Sequence, residues 1–600
     1  MQDRLNLSPG PSTVTSATLR ILATTDLHAH ALGWDYYRDE PVQGFGLAAL
    51  VPLIRKARAE HPAGTVLVDN GDFLQGSPLG DWMAQHGEGT HPLIAAMNAL
   101  DYDAATLGNH EFSHGLDLLD SALASACFPV VSANVSVTGI DRVRADTMIT
   151  RSLPDRAGHL QTLRIGITGT APAQTAVWEA RNLSGRVIVT DPLTAARAAV
   201  QRLRRHGADI VILLAHTGID DGTGNENIAI PLADLSGADA IVLGHTHLTF
   251  PAGQARLALP AVMAGCFGSH LGCIDLGLEH GPDGWTVTGA AARLLRPATP
   301  EPSDAIPPAT RRAHDATREW LRQPAGHSDL PLRAHFSRIA PCNLLRLVAT
   351  AQADHVARTL TATQIDGRPI LGSAAPFRTG MRGAAGGCSD IQPGPLTLRQ
   401  VKDIYPHPNT LVALSVTGDE VADWLERAAI QFTTLDGSTP DRPILRSDCP
   451  AFDFDMIDGL SFTIDATVPP RFDLRGTLLD ADRHRISGLR HKGLPVQGND
   501  RFILVTNSYR ASGSGGFPAC RSDRILLDDG QPATDAVASF LASGRQSASD
   551  ETWHFAPVGL PVLFDAPPGA ERYIDDVAHL RPEALAIPSP EGARRFRLWL

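Results

Sequence analysis

The sequence predicts an α/β protein of more than one domain, on three observations. Five apolar runs each end abruptly in polar residues: Leu19 to Thr25 before Asp26-Leu27-His28, Val66 to Val68 before Asp69-Asn70-Gly71-Asp72, Ala104 to Leu107 before Gly108-Asn109-His110-Glu111, Ile210 to Ala215 before His216, and Ala240 to Leu243 before Gly244-His245-Thr246-His247. Such runs read as buried strands, and the carboxyl ends of strands are where α/β folds place their sites. Helical patterns separate the runs, as βαβ units require. Finally, 600 residues exceed what one core accommodates.

In chain order, Met1 to Ala17 is polar and rich in Ser, Thr and Pro, so residues 1–18 are expected as a disordered segment without the apolar centre of a signal peptide. The chain as given therefore points to the cytoplasm. The first domain is expected over 19–296. Within it, Gly46 to Glu60 reads as a helix with Leu47, Leu50, Val51 and Ile54 on one face. Asp191-Pro192 offers an N-cap and a first-turn proline for a second helix, which Gly207 closes. Residues 297–330 read as a Pro-rich linker and a charged connecting helix, Ala309 to Leu321.

A second domain is expected over 331–565. It carries a helix from Asn343 to Thr359, a capping box at Thr417-Gly418-Asp419-Glu420, and a strand from Arg501 to Asn507 that runs into a Gly-rich loop from Tyr509 to Gly516. Residues 566–600 read as a C-terminal tail.

The net charge of −13 argues against a nucleic-acid duplex as partner, though not against a small anionic substrate. No apolar stretch approaches a membrane span, and a monomer is expected. Seven scattered cysteines without CxxC spacing, an odd count in a large chain, suggest reduced thiols or at most a few disulfides.

The five strand ends deliver Asp, His and Asn side chains to one edge of a core. That is the ligand set of two divalent ions. One ion is assigned Asp26, His28, Asp72 and His247; the other takes Asp72, Asn109, His216 and His245, with Asp72 between them. The Asp-x-His and His-x-His spacings suit this because alternate residues of an extended chain point the same way. Asp69 and Glu111 are expected to orient ligands and loops. The implied chemistry is metal-assisted phosphoester hydrolysis, with His110 as the group serving the leaving oxygen. Nitrogen and oxygen donors without Cys accept Mn, Co, Zn or Fe.

These motifs resemble those of the calcineurin-like metallophosphoesterases. With Asp35-Tyr36-Tyr37, Gln75-Gly76-Ser77-Pro78-Leu79, Ser373-Ala374-Ala375-Pro376-Phe377, Pro408-Asn409-Thr410-Leu411, Phe454-Asp455-x-Ile457-Asp458-Gly459 and Asn507-x-Tyr509-Arg510-Ala511, the chain is similar to the bacterial 5′-nucleotidase family, in particular its 2′,3′-cyclic-nucleotide 2′-phosphodiesterase/3′-nucleotidase branch. The resemblance implies a four-layer α/β/β/α catalytic domain, then a linker helix and an α+β substrate-binding domain. It implies Tyr509 as one stacking platform for the base, with His407 where relatives carry Tyr or Phe. Tyr405 is a nearby substitute. It further implies Asn409 and Gly459 at the base, and Arg378 and Arg382 at phosphate or ribose.

Ser113 stands where the 5′-nucleotidase branch pairs its histidine with Asp, and His247 where that branch can have Gln. Both favour a nucleotide substrate with a cyclic or 3′ phosphate. The family's periplasmic location would require an export signal removed from this chain. The rival readings are a 5′-nucleotidase or nucleotide-sugar hydrolase on the same scaffold, a nucleotide-binding protein without turnover, and, more remotely, a thiosulfate-ester hydrolase.

Overall fold

The computed structural model describes residues 17–600 except 88, 156, 184, 220–225, 235–236, 252–256, 298–305, 381–386, 546–551 and 587–592. The chain forms two compact units. One comprises residues 17–34, 40–75 and 83–313; the other comprises 35–39, 76–82 and 314–600. Helix Pro308–Leu321 contains the boundary.

The first unit is an α/β/β/α arrangement of two sheets. In the seven-stranded sheet, Ala17–Thr24, Thr65–Asp69, Ala104–Thr106, Val130–Val131 and Val143–Arg144 are parallel neighbours, in that order. Antiparallel strands Leu271–Gly281 and Gly284–Leu295 complete its other edge. The six-stranded sheet has Leu160–Thr170, Ile210–Ala215, Ala240–Leu243 and Ala261–Ala264 parallel at its centre.

One face of each sheet supplies the core between them: Leu19, Ile21, Val66 and Val68 from the first, Ile165, Ile167, Ile212, Leu214 and Val242 from the second. The opposite face of the second sheet, with Val211, Leu213, Ile241 and Leu243, is covered by Ala196, Val200 and Leu203 of helix Pro192–Arg205. This two-sided burial is why these strands read as unbroken apolar runs rather than as alternations. Helix Pro192–Arg205 starts where Asp191 accepts the Thr194 N–H, and helix Leu47–Glu60 buries Leu47, Leu50, Val51 and Ile54.

The second unit is α+β. Its central sheet runs Met456–Ile457, Ile370–Ala374, Arg501–Asn507, Leu411–Thr417, Ile525–Leu527. Helix Asn343–Thr359 crosses this sheet at Gly372, where a side-chain carbon would lie 1.9 Å from the Ala349 carbonyl oxygen. The Thr417 capping box forms as read, opening helix Gly418–Ala428.

Two expectations are corrected. The Gly-rich stretch after Asn507 is not an open loop: Ser508–Ala511 is a helical turn capped by Asn507, followed by a second turn at Ser514–Gly516. Residues 566–600 are not a detached tail. Strand Arg594–Trp599 pairs antiparallel with Pro561–Ala566 and buries Phe596 and Leu598. Its Arg595 and Arg597 pair with Asp565 and Asp441.

All seven cysteines are free thiols. Among the described residues no helix is long and apolar enough to cross a membrane.

Candidate metal centre

The parallel strands of both sheets end on one side, and the predicted ligands stand in the loops that follow. Asp26, His28, Asp72 and Asn109 come from the first sheet; His216, His245 and His247 come from the second. Two groups form. Asp26, His28 and His247 converge in one; Asp72, His216 and His245 converge in the other, each with ligand atoms within 4.8 Å of one another. Asn109 Oδ1 joins the second group, 3.0 Å from His245 Nδ1. His216 Nε2 lies 3.0 Å from Asp72 Oδ2 and 3.9 Å from Asp26 Oδ1, so the groups adjoin.

The backbone corrects the expected mechanism of convergence. Asp26, His28, Asp72, His245 and His247 all have left-handed φ, between 47° and 72°. The side chains meet because tight turns fold the loops back, not because an extended chain alternates. Non-glycine residues in this region are uncommon and strained, and they concentrate at functional sites. Gly108 is required by closeness: a side-chain carbon there would lie 2.2 Å from Asp72 Oδ1.

The histidines are oriented as metal-ligating imidazoles usually are, with the distal nitrogen tied to a carbonyl. His28 Nδ1 lies 2.7 Å from Gln75 O, and His216 Nδ1 lies 2.7 Å from Asn70 O. Donation to these carbonyls aims each Nε2 inward, where a bound cation would take its lone pair. Without one, burial opposes charge on His216, but Asp72 and then Asp26 prevail and push it up to about 10, so its Nε2–H meets Asp72. His28 Nε2 and His247 Nε2 stand 2.9 Å apart. Burial, and then the neighbouring His28, hold His247 well below its ordinary pKa, so its nitrogen is an acceptor at neutral pH. Burial alone would push the Asp72 carboxyl up, but the adjoining His216 and His110 outweigh it and hold it well below the usual range. Convergent lone pairs around two buried carboxylates are a donor set that fits a pair of divalent cations.

Asp69 and Glu111 lie behind these groups, each bonded to the loops that carry them. Asp69 accepts from the Thr24 hydroxyl at 2.6 Å and from the Gly71 N–H at 2.9 Å. Glu111 accepts four backbone N–H groups, those of Asp72, Phe73, Leu74 and Gly108, and so clamps two ligand loops together. Glu111→Ala is expected to weaken metal affinity about 10- to 100-fold, the usual effect of losing such support. Titration of metal-depleted protein measures it.

Sequence reading missed the segment around Trp178. The Trp178 ring stacks on His245, with centroids 5.5 Å apart and planes 14° apart. Next to it, Glu179 Oε1 accepts from Ser113 Oγ at 2.9 Å, and Ser113 Oγ lies 3.2 Å from His110 Nδ1. His110 itself packs edge-on to His28 at 5.2 Å and donates its backbone N–H to Asp72 Oδ1 at 2.7 Å. No local pattern marks Trp178 or Glu179; an aromatic-acid pair at a helix end is common on any surface.

In the second unit, Leu411 pairs with Asn507, and Ser508 N donates to Thr410 O at 2.8 Å. His407, Asn409 and Tyr509 therefore stand at the same end of the central sheet. His407 is exposed and meets Phe377 edge-on at 4.7 Å. Tyr509 is half-buried. Tyr405 is only 1% exposed, with its hydroxyl 3.4 Å from Asn409 Nδ2, so it is a core residue and not a substitute platform.

Gly459 is not brought to that end. The antiparallel pairing of Ile457 with Ser373 carries it back along the edge to Leu371. Arg378 is buried, with Nε donating to Asp403 at 2.5 Å and the Tyr37 ring 3.9 Å from the guanidinium carbon. Arg382 lies outside the described residues.

Comparison with known proteins agrees with this geometry. A family model of calcineurin-like phosphoesterases matches residues 19–248, and one of the 5′-nucleotidase C-terminal domain matches 324–522. A Salmonella typhimurium 2′,3′-cyclic-nucleotide 2′-phosphodiesterase/3′-nucleotidase is 36% identical, over 93% of this chain and 93% of its own. The chain belongs to the 5′-nucleotidase family of metallophosphoesterases.

Within this 5′-nucleotidase family, a trifunctional nucleotide phosphoesterase of Bacillus subtilis is also 36% identical, over 94% of this chain. The chain spans 41% of that relative's length. A 5′-nucleotidase precursor from Thermus thermophilus shares the fold, with TM-score 0.59 and 21% identity over 90% of this chain and 99% of its own. The family implies divalent metals, and the two adjoining ligand groups are where this chain would hold them.

Proposed function

We propose that this phosphoric ester hydrolase opens nucleoside 2′,3′-cyclic phosphates at the 2′ ester and then removes the 3′ phosphate, releasing nucleoside. The observation that carries the reading is the pair of adjoining ligand groups, with His110 beside them, in a chain 36% identical over 93% of its length to an enzyme named for both steps.

In this reading Asp26, His28 and His247 would hold one ion and Asn109, His216 and His245 the other, with Asp72 available to both. Two such ions, when bound, acidify water and neutralise phosphate oxygens. The set accepts Mn, Co, Zn or Fe. His110 donates a proton to the departing ester oxygen, the role that general acids fill for a poor alkoxide leaving group. Tyr509 and His407 offer ring faces and Asn409 an amide for the base, and Arg378 a guanidinium for phosphate or ribose. After the first cleavage the nucleotide re-presents its remaining ester to the same groups. The reading takes the protein as a monomer.

The test is release of phosphate and nucleoside from 2′,3′-cyclic AMP, 3′-AMP and 5′-AMP, with added Mn and with chelator. Turnover of the first two, lost on chelation, is expected. Turnover confined to 5′-AMP overturns the substrate assignment.

A further inference from the structure

Three residues after His110 stands Ser113 and not a carboxylate, but the fold brings one, Glu179, to that serine from 66 residues further along the chain. Ser113 Oγ donates to Glu179 Oε1 at 2.9 Å. A hydroxyl carries one proton. Once that proton points at Glu179, the same oxygen can only accept from His110 Nδ1, 3.2 Å away. Nδ1 therefore carries a hydrogen, and Nε2 is the nitrogen left to exchange a proton.

The far end of the chain of bonds is pinned as well. Glu179 Oε2 accepts from Asn182 Nδ2 at 2.7 Å, and the same amide donates to Ser113 O at 3.1 Å. With both ends fixed, neither the serine rotamer nor the carboxylate is at liberty to turn away. The arrangement also lies one residue from Trp178, which stacks on His245. A single short segment thus braces a ligand ring and the ring beside the reacting ester.

We propose that Glu179 is a positioning residue for His110, acting through Ser113: the relay fixes the tautomer and orientation of the imidazole. This rests on the reading of His110 as proton donor to the leaving oxygen. A carboxylate that orients a catalytic histidine through a hydrogen bond is a general device; here a serine hydroxyl is interposed. The carboxylate that position 113 does not carry is thus supplied in three dimensions by Glu179.

The experiment is a double-mutant cycle on kcat for 3′-AMP, using Glu179→Gln, Ser113→Ala, His110→Ala and the combinations with His110→Ala. Glu179→Gln and Ser113→Ala are each expected to lower kcat about 10- to 100-fold with KM and bound metal unchanged. In the His110→Ala background either change is expected to alter kcat by less than about two-fold, because the relay then has nothing to orient. Losses that add to that of His110→Ala show a role independent of the histidine and overturn the proposal. So does a wild-type kcat in both single variants.

If His110→Ala itself turns over at the wild-type rate, the reading of His110 fails, and that outcome is separate from a failure of the relay alone. Bis-p-nitrophenyl phosphate, whose phenolate departs without a proton, supplies a second readout. Its turnover is expected to be nearly unchanged in Glu179→Gln, and an equal loss on both substrates overturns the proposal.

Discussion

Asp72→Ala is expected to abolish phosphoester hydrolysis, by at least about a thousand-fold in kcat, and to reduce bound metal by about half or more. The size follows from how much converges on this one residue. Its Oδ2 lies 3.0 Å from His216 Nε2, and its Oδ1 accepts the His110 backbone N–H at 2.7 Å. Its backbone carbonyl, which the substitution keeps, accepts the His28 N–H at 2.8 Å, so the loss is that of the carboxylate. Truncation removes a shared charge and frees the loop that carries His110. Asp72→Asn separates these effects, because it retains the shape and an accepting oxygen but not the charge. Turnover in the asparagine variant is expected to stay close to that of the alanine variant. Metal analysis and turnover of both variants check this, and wild-type rates in either would remove the shared-carboxylate assignment.

Arg510→Ala is expected to destabilise the second unit by about 3–5 kcal/mol, the usual cost of breaking a buried ion pair. Arg510 is 2% exposed, with Nη1 3.3 Å from Asp453 and Nη2 3.3 Å from Asp455. It also donates to the Phe452 carbonyl, and its guanidinium carbon lies 4.3 Å from the Phe517 ring centroid. Asp453 keeps a second cation, Arg427, at 3.3 Å. Asp455 keeps the Trp424 indole N–H, at 3.2 Å, and among the described residues becomes a buried charge without a cation. A melting temperature lower by on the order of 10 °C is the expected signal. Lysine is a poor replacement because one ammonium does not reproduce a planar fork reaching two carboxylates. A variant that unfolds like the parent chain would show that this cluster carries no net stability.

That cluster also shows what could be read from the sequence and what could not. Phe454-Asp455 and Tyr509-Arg510 are visible as separate motifs; their joining through one guanidinium is a contact across 55 residues. The strands of the first unit are legible because strands buried on both faces leave long apolar runs, and the ligands because they follow those runs directly. The same runs do not disclose that they divide between two sheets, since a parallel strand carries no mark of its neighbour. The register that carries Gly459 back along the edge to Leu371 is not legible either, because a motif fixes neighbours along the chain and not the direction in which an edge strand carries them. The alternation Phe596, Leu598 against Arg595, Arg597 is a strand pattern, masked by the Pro- and Glu-rich stretch before it.

The left-handed turns at the metal centre restrict which sequences can build it. At Asp26 and Asp72 a residue has to carry a short oxygen donor and also sit at φ values of 51° and 58°. Aspartate and asparagine tolerate that conformation better than most. Glutamate has the same charge but not the local hydrogen bonding that eases the turn, and its longer arm would put the oxygen elsewhere. At His28, His245 and His247 the backbone similarly disfavours bulky and β-branched residues. The vocabulary of ligands here is thus filtered twice, once by the chemistry of the cation and once by the geometry of the peptide chain. A redesign that swaps donors to suit another metal would have to rebuild the turns together with the side chains.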